Sequence, residues 1–471
     1  MRTALVVAAL SAAAASPSIG AQASAPPPAA QPGYTLIAPL HSKTIHLLDL
    51  DGRVVHQWKT AFEPGAELLL ENGNLLRCAR EPDARRFNAG GQCGRLEEIA
   101  WDGSVVWSWK LANDQQMQHH DFAVTPKGTI LLLAWEYKAR PEAIAAGRHP
   151  EHVRKEGIWS DFVVEIEPIR PDRAKVVWEW HVWDHLVQDL DQHGRNFGKV
   201  ADHPERIDVN ADLRREEASE AQLADMQALG YISNTPSAGE IVADWLHTNS
   251  LDYDPRSDQI VLCPHHFCEV WVVDHSTTTA EASGRKGGAA GRGGDLLWRW
   301  GNPRNYRAGV LADRQLFYPH DVRWIEDGLP GAGHLTIFNN GYKRPEGDYS
   351  TVVEIVPPLR PDRTYGLEPL VPAAPSSPIW SYQAPDPGKF YSSFLSGAER
   401  LKNGNTLICE GTSGRVFEVT PAGEVVWDYL NPFGQDLDST MKTDLPRALF
   451  RATRIAPDHP GLKGRELRPI Q

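Results

Sequence analysis

Six segments of the chain share one pattern of hydrophobic and polar positions: two mostly aliphatic residues, an aromatic ring, one variable residue and a second aromatic ring. The copies occupy residues 54–58, 105–109, 176–180, 296–300, 378–382 and 425–429, and a histidine serves as the first ring of the first copy. Most copies follow an alternating strand and a tight turn, for example Asp51-Gly52 or Asp102-Gly103, as β-hairpins do. The pattern therefore predicts a repeated unit built from β-strands.

Further strands are predicted upstream of most copies, several of them behind a glycine turn such as Asn72-Gly73. Six repeats of about four strands predict an all-β protein, a six-bladed β-propeller over residues 33–440. The aromatic pairs, which use most of the 16 tryptophans, are expected to fill the spaces between adjacent blades. Two packed β-sandwiches fit the sixfold count poorly.

Two insertions interrupt the repeats. Residues 183–239 separate the third and fourth copies, and residues 214–230 are rich in Glu, Ala, Gln and Leu, which predicts a partly helical insertion. Such an insertion on the rim could form a lid or a homodimer contact. Its His185, His193 and His203 are expected to be solvated loop residues. Residues 276–294 read as a flexible hairpin tip, and residues 441–471 show no strand pattern and are expected to pack on the propeller as a tail.

The first residues have the layout of a secretory signal peptide. An early Arg2 precedes an apolar run over residues 4–15, and Ala21-Gln22-Ala23 fits a cleavage site. Residues 1–23 are therefore expected to be removed, and residues 24–32 form a spacer rich in Pro and Ala. The run is too short to span a bilayer, so the chain is expected to be periplasmic or secreted; an uncleaved anchor is the alternative.

The charge balance limits the partners that the chain could bind. Lys and Arg together number 48 and Asp and Glu 61, which gives a formal net charge of −13 without a long basic run. Such a chain is a poor ligand for nucleic acid and for an anionic membrane surface. An anionic substrate would need a local cluster of His and Arg to hold it.

The five cysteines leave alternatives open. Cys263 and Cys268 flank two histidines, and they could form a disulfide, remain free thiols or bind a metal, although the spacing matches no common zinc pattern. The odd number leaves one thiol unpaired, most simply Cys409. We expect no metal and no cofactor in the working protein.

Histidines precede the innermost strands of three consecutive predicted blades. His120, His247 and His320 stand at this point in the third, fourth and fifth copies. The innermost strands of a propeller run along its central channel, so these rings are expected to meet at one mouth. A single such histidine would more often be structural, but three at equivalent positions favour a functional site.

Other polar side chains are expected at the same mouth or its wall. They are His119, Tyr137, His265, His266, Asn339, Asn340 and Arg344. Imidazoles combined with an arginine and amides suit an oxyanion, because they supply several donors and exchange protons near neutral pH.

These stretches resemble the bacterial arylsulfotransferases, also called aryl-sulfate sulfotransferases. The matching segments are residues 119–122, 245–250, 316–324, 338–341 and 396–410. The resemblance implies a six-bladed propeller and an exported enzyme. It also implies transfer of a sulfuryl group from a phenolic sulfate ester to a phenol through a sulfated histidine, without a nucleotide donor.

The resemblance carries over to individual residues with one departure. His247 matches the His-x-Asn-Ser motif, His320 matches the next channel histidine, and Arg344 is the nearest candidate for the family's arginine. Residues 391–396 contain no histidine, where the well-studied branch has its sulfuryl carrier, so His320 or His120 would take that role or the chemistry differs. The N-terminal sandwich domain of some members has no counterpart, because propeller strands begin by about Tyr34.

The resulting hypothesis is a histidine-centred ping-pong transferase. His320 is expected to be the nucleophile and His247 the acid/base partner, while His119, His120, Asn340 and Arg344 bind the sulfuryl group. Asn339 and Tyr137 are further substrate-binding candidates. Two alternatives stay open: a metal-assisted ester hydrolase in the channel, and a propeller that serves as a non-catalytic interaction platform.

Overall fold

The central feature of the fold is a ring of six four-stranded antiparallel sheets. A computed structural model describes residues 29–82, 86–211, 243–434 and 445–470 of the chain. Within these residues the strands fall into six blades, so the predicted six-bladed β-propeller is confirmed.

The strands follow the chain from blade to blade. Blade 1 contains β1 (Tyr34–Pro39), β2 (Thr44–Leu48) and β3 (Val54–Lys59), and blade 2 contains β4 (Pro64–Leu69), β5 (Leu75–Arg80), β6 (Gly94–Ile99) and β7 (Val105–Lys110). Blade 3 contains β8 (Gln116–Val124), β9 (Ile130–Lys138), β10 (Ile158–Ile169) and β11 (Arg173–His181). A small parallel pair, β12 (Leu186–Val187) and β13 (Ile207–Asp208), lies in the insertion. Blade 4 contains β14 (Thr248–Asp254), β15 (Gln259–Pro264), β16 (Val270–Asp274) and β17 (Trp298–Trp300). Blade 5 contains β18 (Asp321–Trp324), β19 (Leu335–Asn339), β20 (Thr351–Ile355) and β21 (Trp380–Tyr382), and blade 6 contains β22 (Gly397–Arg400), β23 (Thr406–Glu410), β24 (Arg415–Val419) and β25 (Val425–Leu430).

The innermost strand of blade 1 comes from the far end of the chain. Strand β26 (Leu449–Ile455) pairs antiparallel with β1, with Leu36 opposite Thr453, and completes the order β26-β1-β2-β3. The sequence analysis ended the propeller at residue 440 and expected no strand beyond it, and β26 corrects that boundary. The ring is thus closed by strands from both ends of the propeller.

The repeated aromatic motif forms the outermost strand of each blade and links it to the next blade. The first ring of each copy hydrogen-bonds to an oxygen in or beside the following blade's outer connection. The six pairs are His56 with Trp101 O, Trp107 with Arg173 O, Trp178 with Thr277 Oγ1, Trp298 with Ala374 O, Trp380 with Pro421 O and Trp427 with Leu50 O. Because the last bond returns to blade 1, these contacts run around the whole ring.

The hydrophobic core lies largely between neighbouring blades. One cluster joins Leu131 and Trp178 of blade 3 to Leu251 and Trp271 of blade 4, all of them buried. Burying one such side chain fully is worth about 1.5–3 kcal/mol. The faces of the sheets are therefore what holds the ring together, and the inner edges are left to line the channel.

The helical segments that the structure describes are short. Two are α-helical, Arg140–Ala145 and Thr279–Ala282, and 3-10 turns occupy Pro150–His152, Val182–His185, Val200–Asp202, His265–Phe267, Pro303–Tyr306, Leu311–Asp313, Pro387–Lys389 and Pro460–Leu462. The helix predicted over residues 214–230 lies outside the described residues. No helix within the described ranges is long and apolar enough to cross a membrane.

One histidine of the insertion departs from its expected role. His185 is fully buried, with Nδ1 2.9 Å from Asp295 Oδ1 and Nε2 2.8 Å from the carbonyl oxygen of Ala282. Its ring also stacks on Trp180 at 5.6 Å between centroids. The expectation of a solvated loop residue was wrong for His185, because this part of the insertion packs against blades 3 and 4.

All five cysteines are buried free thiols. Cys263 and Cys268 are therefore not linked to each other, which leaves the free-thiol alternative for this pair. The Cys268 sulfur lies 2.9 Å from Nη2 of Arg314 and 3.3 Å from the backbone nitrogen of Tyr318, so it helps to hold the loop before β18.

Candidate active site

An unusual backbone conformation occurs within or just before the inner strands of four blades. His120, His247, Tyr318 and Leu395 have φ values of 48°, 53°, 54° and 59°. The left-handed region is uncommon for residues other than glycine, and such conformations cluster at functional sites. His120 lies in an irregularity within β8, and the other three lie in the segments before β14, β18 and β22.

Side chains of each inner strand satisfy the exposed backbone edge of the next one. Asp121 Oδ2 accepts from the Leu251 amide at 3.0 Å, Ser250 Oγ accepts from the Val322 amide at 2.9 Å, and Asp321 Oδ2 accepts from the Ala398 amide at 3.2 Å. These bonds cover strand edges that would otherwise present unpaired amides to the channel.

The same bonds show which positions of the inner strands are equivalent, and so where each predicted histidine stands relative to its strand. Asp121, Ser250 and Asp321 occupy one position on three inner strands, so His120 and His320, each one residue earlier, are equivalent. His247 stands three residues before Ser250, and an irregularity between Thr248 and Leu251 absorbs the difference. The three rings thus reach the mouth by two different local routes, and not from one equivalent position.

Six imidazoles form a contiguous histidine cluster at this mouth: His119, His120, His247, His265, His266 and His320. Ring centroids are 4.7 Å apart for His120 and His247, 5.6 Å for His247 and His265, and 4.7 Å for His265 and His320. His266 stacks on His247 at 5.3 Å. The structure therefore brings together His120, His247 and His320, which lie far apart in the sequence.

The hydrogen bonds of His320 define its tautomer. Asn340 donates its amide nitrogen to the carbonyl oxygens of Ser392 at 2.7 Å and Leu395 at 3.2 Å, so its Oδ1 points the other way, 2.9 Å from Nδ1 of His320. An amide oxygen only accepts, so His320 carries its proton on Nδ1. The lone pair of the neutral ring is therefore on Nε2.

His247 is oriented in the same way by a carboxylate. Its Nδ1 lies 2.5 Å from Oδ2 of Asp244, and both residues are almost fully buried. The carboxylate accepts the Nδ1 proton, which leaves Nε2 to exchange protons with a bound molecule.

His265 and His266 share this orientation. Nδ1 of His265 lies 3.0 Å from the carbonyl oxygen of Pro319, and Nδ1 of His266 lies 3.2 Å from that of Trp245. Carbonyl oxygens only accept hydrogen bonds, so both rings carry the proton on Nδ1 when neutral. Four rings of the cluster therefore have their lone pair on Nε2.

His119 and His120 are hydrogen-bonded to each other through their ring nitrogens. Their Nδ1 atoms lie 2.8 Å apart, so one ring donates to the other. Nε2 of His119 lies 3.6 Å from Oδ1 of Asp161, which is beyond hydrogen-bond distance, so this carboxylate faces the pair without bonding to it. Trp135 stacks on His119 at 4.1 Å and fixes the plane of that ring. When His120 is the donor to His119, its lone pair is on Nε2.

Burial and mutual repulsion keep two of these rings neutral. Burial lowers the pKa of His120 well below its ordinary value, and the neighbouring His247 adds to the effect. Burial likewise lowers the pKa of His320 well below its ordinary value, with His265 as the next cause. Both rings are therefore neutral bases near pH 7.

An arginine and aspartate network lies directly behind the cluster. Arg451 Nη1 lies 2.8 Å from Asp121 and its Nε 3.0 Å from Asp321, while Arg323 Nη2 and Nε lie 2.9 and 3.0 Å from the same two carboxylates. Burial raises the pKa of Asp121, but the two guanidinium groups outweigh it and keep the pKa below its ordinary value. Arg451 also lowers the pKa of His120, so its charge acts on the cluster.

Arg344 does not stand in this network. Its Nη2 lies 3.3 Å from Thr351 Oγ1, and its guanidinium lies 5.1 Å from the ring centre of Phe317 and 4.5 Å from that of Tyr349. These contacts attach it to the loop before β18 and to the loop before β20. Among described residues, the arginine whose charge acts on His120 is Arg451, which the sequence analysis missed.

Asn339 and Tyr137, the remaining predicted binding residues, have contacts of other kinds in the structure. Asn339 Oδ1 accepts from the Phe317 amide at 2.7 Å and its Nδ2 donates to the Gln315 carbonyl at 3.2 Å, so its amide holds the loop that carries His320. Tyr137 packs beside Trp135 in an apolar cluster, with the Arg86 guanidinium 3.9 Å from its ring centre. Neither contact reaches a channel histidine.

A pocket of about 680 Å³, including its open part, adjoins the cluster on the side of blades 1 and 2. Of the six cluster rings, all within the described residues, His120 is the one on its wall, and Leu395 and Phe450 stand beside it. A side-chain carbon on Gly91 would lie 2.0 Å from Nε2 of His120, so the Nε2 edge of the ring faces this glycine. The backbone of Gly91 therefore packs against the Nε2 edge of His120, at a distance that only a residue without a side chain allows.

The residues that sequence reasoning missed were Arg451, Asp161 and Asp244. A signal for Arg451 existed, because residues 451–455 read Arg-Ala-Thr-Arg-Ile and resemble the Gly-Ala-Glu-Arg-Leu of β22 and the following residue. Asp161 belongs to β10, far along the chain from His119, so the spacing of residues in the sequence does not indicate that the two are close.

Within the described part of the chain, no group of three or more His, Cys, Asp or Glu side chains has the arrangement of a metal site. The cluster rings contact each other edge to face at several places instead of converging on one point.

Comparison with known proteins gives a consistent family. The sequence model described as Arylsulfotransferase (ASST) matches residues 41–426. The arylsulfate sulfotransferase AssT of Escherichia coli O6:H1 is 25% identical over 389 residues, covering 79% of this chain and 58% of that protein. AssT of Lelliottia amnigena is 24% identical with the same coverage. The chain thus spans under two thirds of the length of these relatives.

Solved structures of similar shape have little sequence in common with the chain. A protein of unknown function from Bacteroides caccae has a TM-score of 0.43 and 10% identity, covering 90% of this chain and 98% of its own. The periplasmic gluconolactonase PpgL of Pseudomonas aeruginosa has a TM-score of 0.41 and 12% identity, covering 90% of this chain and 99% of its own.

Proposed function

This chain belongs to the arylsulfotransferase family, and from that premise we propose that it moves a sulfuryl group from a phenolic sulfate ester to a phenol at the histidine cluster. The reaction needs no nucleotide donor. The observation that carries the proposal is the cluster itself: buried imidazoles, several of them anchored through Nδ1, stand beside a pocket whose wall is largely apolar.

The nucleophile in this proposal is His120. It lies on the pocket wall, its ring is neutral, and within the described residues its buried Nε2 has no hydrogen-bond partner. The lone pair of Nε2 forms the bond to sulfur while the bond from sulfur to the phenolic oxygen breaks. The sulfated ring is cationic, and its Nδ1 proton is shared with His119. His320, the nucleophile expected from the sequence, is linked to His120 through the rings of His247 and His265 and is the alternative carrier.

His247 is the acid and base of both half-reactions. Its protonated ring, stabilised by Asp244, gives the Nε2 proton to the departing phenolate and becomes neutral. It then takes the proton of the acceptor phenol, whose oxygen attacks sulfur while the bond between sulfur and His120 breaks. The electron pair returns to Nε2 of His120, and both histidines are restored.

Arg451 supplies the positive charge that this transfer needs. The transition state of sulfuryl transfer resembles that of phosphoryl transfer, with negative charge on the peripheral oxygens. A fixed guanidinium in a water-poor site stabilises such charge without having to reorganise. Asp121 and Asp321 hold Arg451 in position, and in this proposal it replaces the Arg344 expected from the sequence.

The test of the activity is transfer from p-nitrophenyl sulfate to phenol by the purified full chain. We expect release of p-nitrophenol that depends on phenol, together with formation of phenyl sulfate. No release with or without phenol would contradict the proposal and favour the interaction platform. Release without transfer, abolished by a chelator, would favour the metal-assisted hydrolase.

The carrier can be identified by trapping the intermediate without acceptor and mapping the added sulfuryl mass. Trypsin separates the candidates, because His120 falls in the peptide over residues 111–127 and His320 in the peptide over residues 315–323. Modification of the first peptide is expected, and its loss in His120→Ala is the control. Modification of the second peptide alone would assign the role to His320.

We also propose that the chain is exported. The support is the order of Arg2, the apolar run over residues 4–15 and Ala21-Gln22-Ala23. The N-terminus of the protein purified from the periplasm or the medium is expected near residue 24. Recovery of the intact N-terminus in the cytoplasmic fraction would contradict export.

A further inference from the structure

The pocket beside His120 has a polar end formed by blades 1 and 2. His41 lies in the turn between β1 and β2, Glu63 stands just before β4, and Arg80 ends β5. Nη1 of Arg80 lies 3.9 Å from Oε2 of Glu63. The rest of the wall is largely apolar and includes Leu395 and Phe450, so a flat ring can lie between His120 and this polar end.

Two polar groups on the pocket wall have unsatisfied atoms. His41, at the polar end, is 3% exposed, and within the described residues neither of its ring nitrogens has a hydrogen-bond partner. Oε1 of Gln92, which follows Gly91 beside His120, is buried without a partner. Leaving a buried polar atom unpaired is unfavourable, so such atoms mark a place where a ligand makes the missing bonds.

We infer that this pocket selects phenols that carry a second hydroxyl group at the end of the ring remote from the reacting oxygen. The inference rests on the proposed function and names its acceptor class. Burial lowers the pKa of His41, so its neutral ring offers one donor and one acceptor, and Gln92 Oε1 offers a further acceptor. A hydroxyl group also donates once and accepts, and it satisfies such partners without bringing a charge.

The charges at the polar end argue against ionic substituents. Glu63 and Arg80 carry opposite charges and stand together, so a carboxylate would meet Glu63 and an ammonium group would meet Arg80. A like charge brought close in a buried site is unfavourable, while a neutral hydroxyl meets no such penalty. The chemistry of the pocket therefore favours dihydroxybenzenes over hydroxybenzoates and tyramine-like amines.

The test compares acceptors that share the reacting phenol and differ at the para position. With p-nitrophenyl sulfate as donor, kcat/KM is expected to be about tenfold higher for hydroquinone than for 4-methylphenol, because one further buried hydrogen bond is worth that factor. His41→Leu should reduce the ratio to about one, and His41→Gln, which keeps a donor and an acceptor, should restore part of it. His149→Leu, outside the pocket, is the matched control and should leave the ratio unchanged.

Ligand-observed NMR with the same compounds separates this inference from the transfer activity. Binding of hydroquinone that weakens in His41→Leu supports the inference even if no acceptor is sulfated, and that result would contradict the proposed function alone. Equal transfer to hydroquinone and 4-methylphenol, or a preference for 4-hydroxybenzoate or tyramine, overturns the inference. So does a hydroquinone preference that survives in His41→Leu.

Discussion

At the scale of single residues, the site depends on which nitrogen of each imidazole holds the proton. Asn340 and Asp244 each accept from an Nδ1 atom, and they stand 20 and 3 residues along the chain from the histidines that they orient. These Nδ1 hydrogen bonds are already formed in the folded protein, so no free energy is needed to orient the rings during the reaction. Nε2 of each neutral ring is left as the basic nitrogen. The chemistry of the cluster is thus decided by its neighbours as much as by the histidines.

Gly91 allows a direct test of the close packing between the backbone and His120. Gly91→Ala puts a carbon against Nε2, and we expect loss of about 100-fold or more in the release of p-nitrophenol, as misplacement of a reacting group by about 1 Å causes. Gly128→Ala is the control, since Gly128 has nearly the same positive φ, 78° against 75°, and nothing within 4 Å of its added carbon. Equal losses of activity in the two variants would show that backbone strain, and not the His120 pocket, is responsible.

The pH dependence of the first half-reaction follows from the lowered pKa of His120. A base whose pKa lies well below its ordinary value stays unprotonated as the pH falls through the usual imidazole range. The burst of p-nitrophenol in single-turnover experiments should therefore persist as the pH is lowered through about 6.5, the ordinary histidine pKa. A loss of the burst with its midpoint near that value would mean that a solvated imidazole is the nucleophile.

At the scale of elements, the outer strands and the inner strands have separate tasks. The outer strands carry the repeated rings that join blade to blade, while the inner strands place carboxylates and hydroxyls on the channel. Since the joining rings are aromatic and recur in all six blades, they are also the part of the fold that is easiest to recognise in the sequence.

The tryptophan hydrogen bonds between blades predict a larger loss of stability at a buried position than at an exposed one. Trp107 is buried and donates to the Arg173 carbonyl at 2.9 Å, whereas Trp380 donates to the Pro421 carbonyl at 2.8 Å near the surface. Trp107→Phe should lower the free energy of unfolding by about 1–3 kcal/mol, because the carbonyl loses its buried donor. Trp380→Phe should cost less, since water replaces the lost donor. Urea unfolding measures both, and a larger loss for Trp380→Phe would contradict this reading.

The sequence predicted the propeller and the meeting of three histidines because both depend on repetition along the chain. Strand β26 escaped notice, since it is an isolated inner strand without the aromatic outer strand that marks each repeat. Asp161 and His41 could not be foreseen for a different reason. Their roles come from contacts between blades, and a contact between distant segments leaves no spacing to detect.

At the scale of the whole molecule, the channel concentrates ionisable groups that water reaches poorly. Burial raises the pKa of Glu67 to about 8 and that of Glu399 to about 8. Both carboxyls stand on inner strands, β4 and β22, so they are neutral near pH 7 although nearby arginines favour their charged forms.

These carboxyls predict how stability changes with pH. A carboxyl whose folded pKa is raised stabilises the folded state fully below its ordinary pKa, and the contribution is lost as the pH rises through the folded value. The Tm should therefore fall as the pH rises from about 4.5, the ordinary value, to about 8, the raised value of Glu67 and Glu399, and should level off above it. The double variant Glu67→Gln and Glu399→Gln should flatten that fall in a thermal scan. An unchanged slope would show that other groups titrate instead.

The origin of strand β26 sets the order in which the molecule can be completed during synthesis. Phe450 of the pocket wall and Arg451 behind the cluster both belong to this last strand, which closes blade 1 against β1. A nascent chain that still lacks residues 449–455 can hold its other blades in hairpins, yet it has an open ring and an unfinished pocket. Chains halted before residue 449 should consequently be inert toward aryl sulfates, so catalytic competence depends on the presence of residues 449–455.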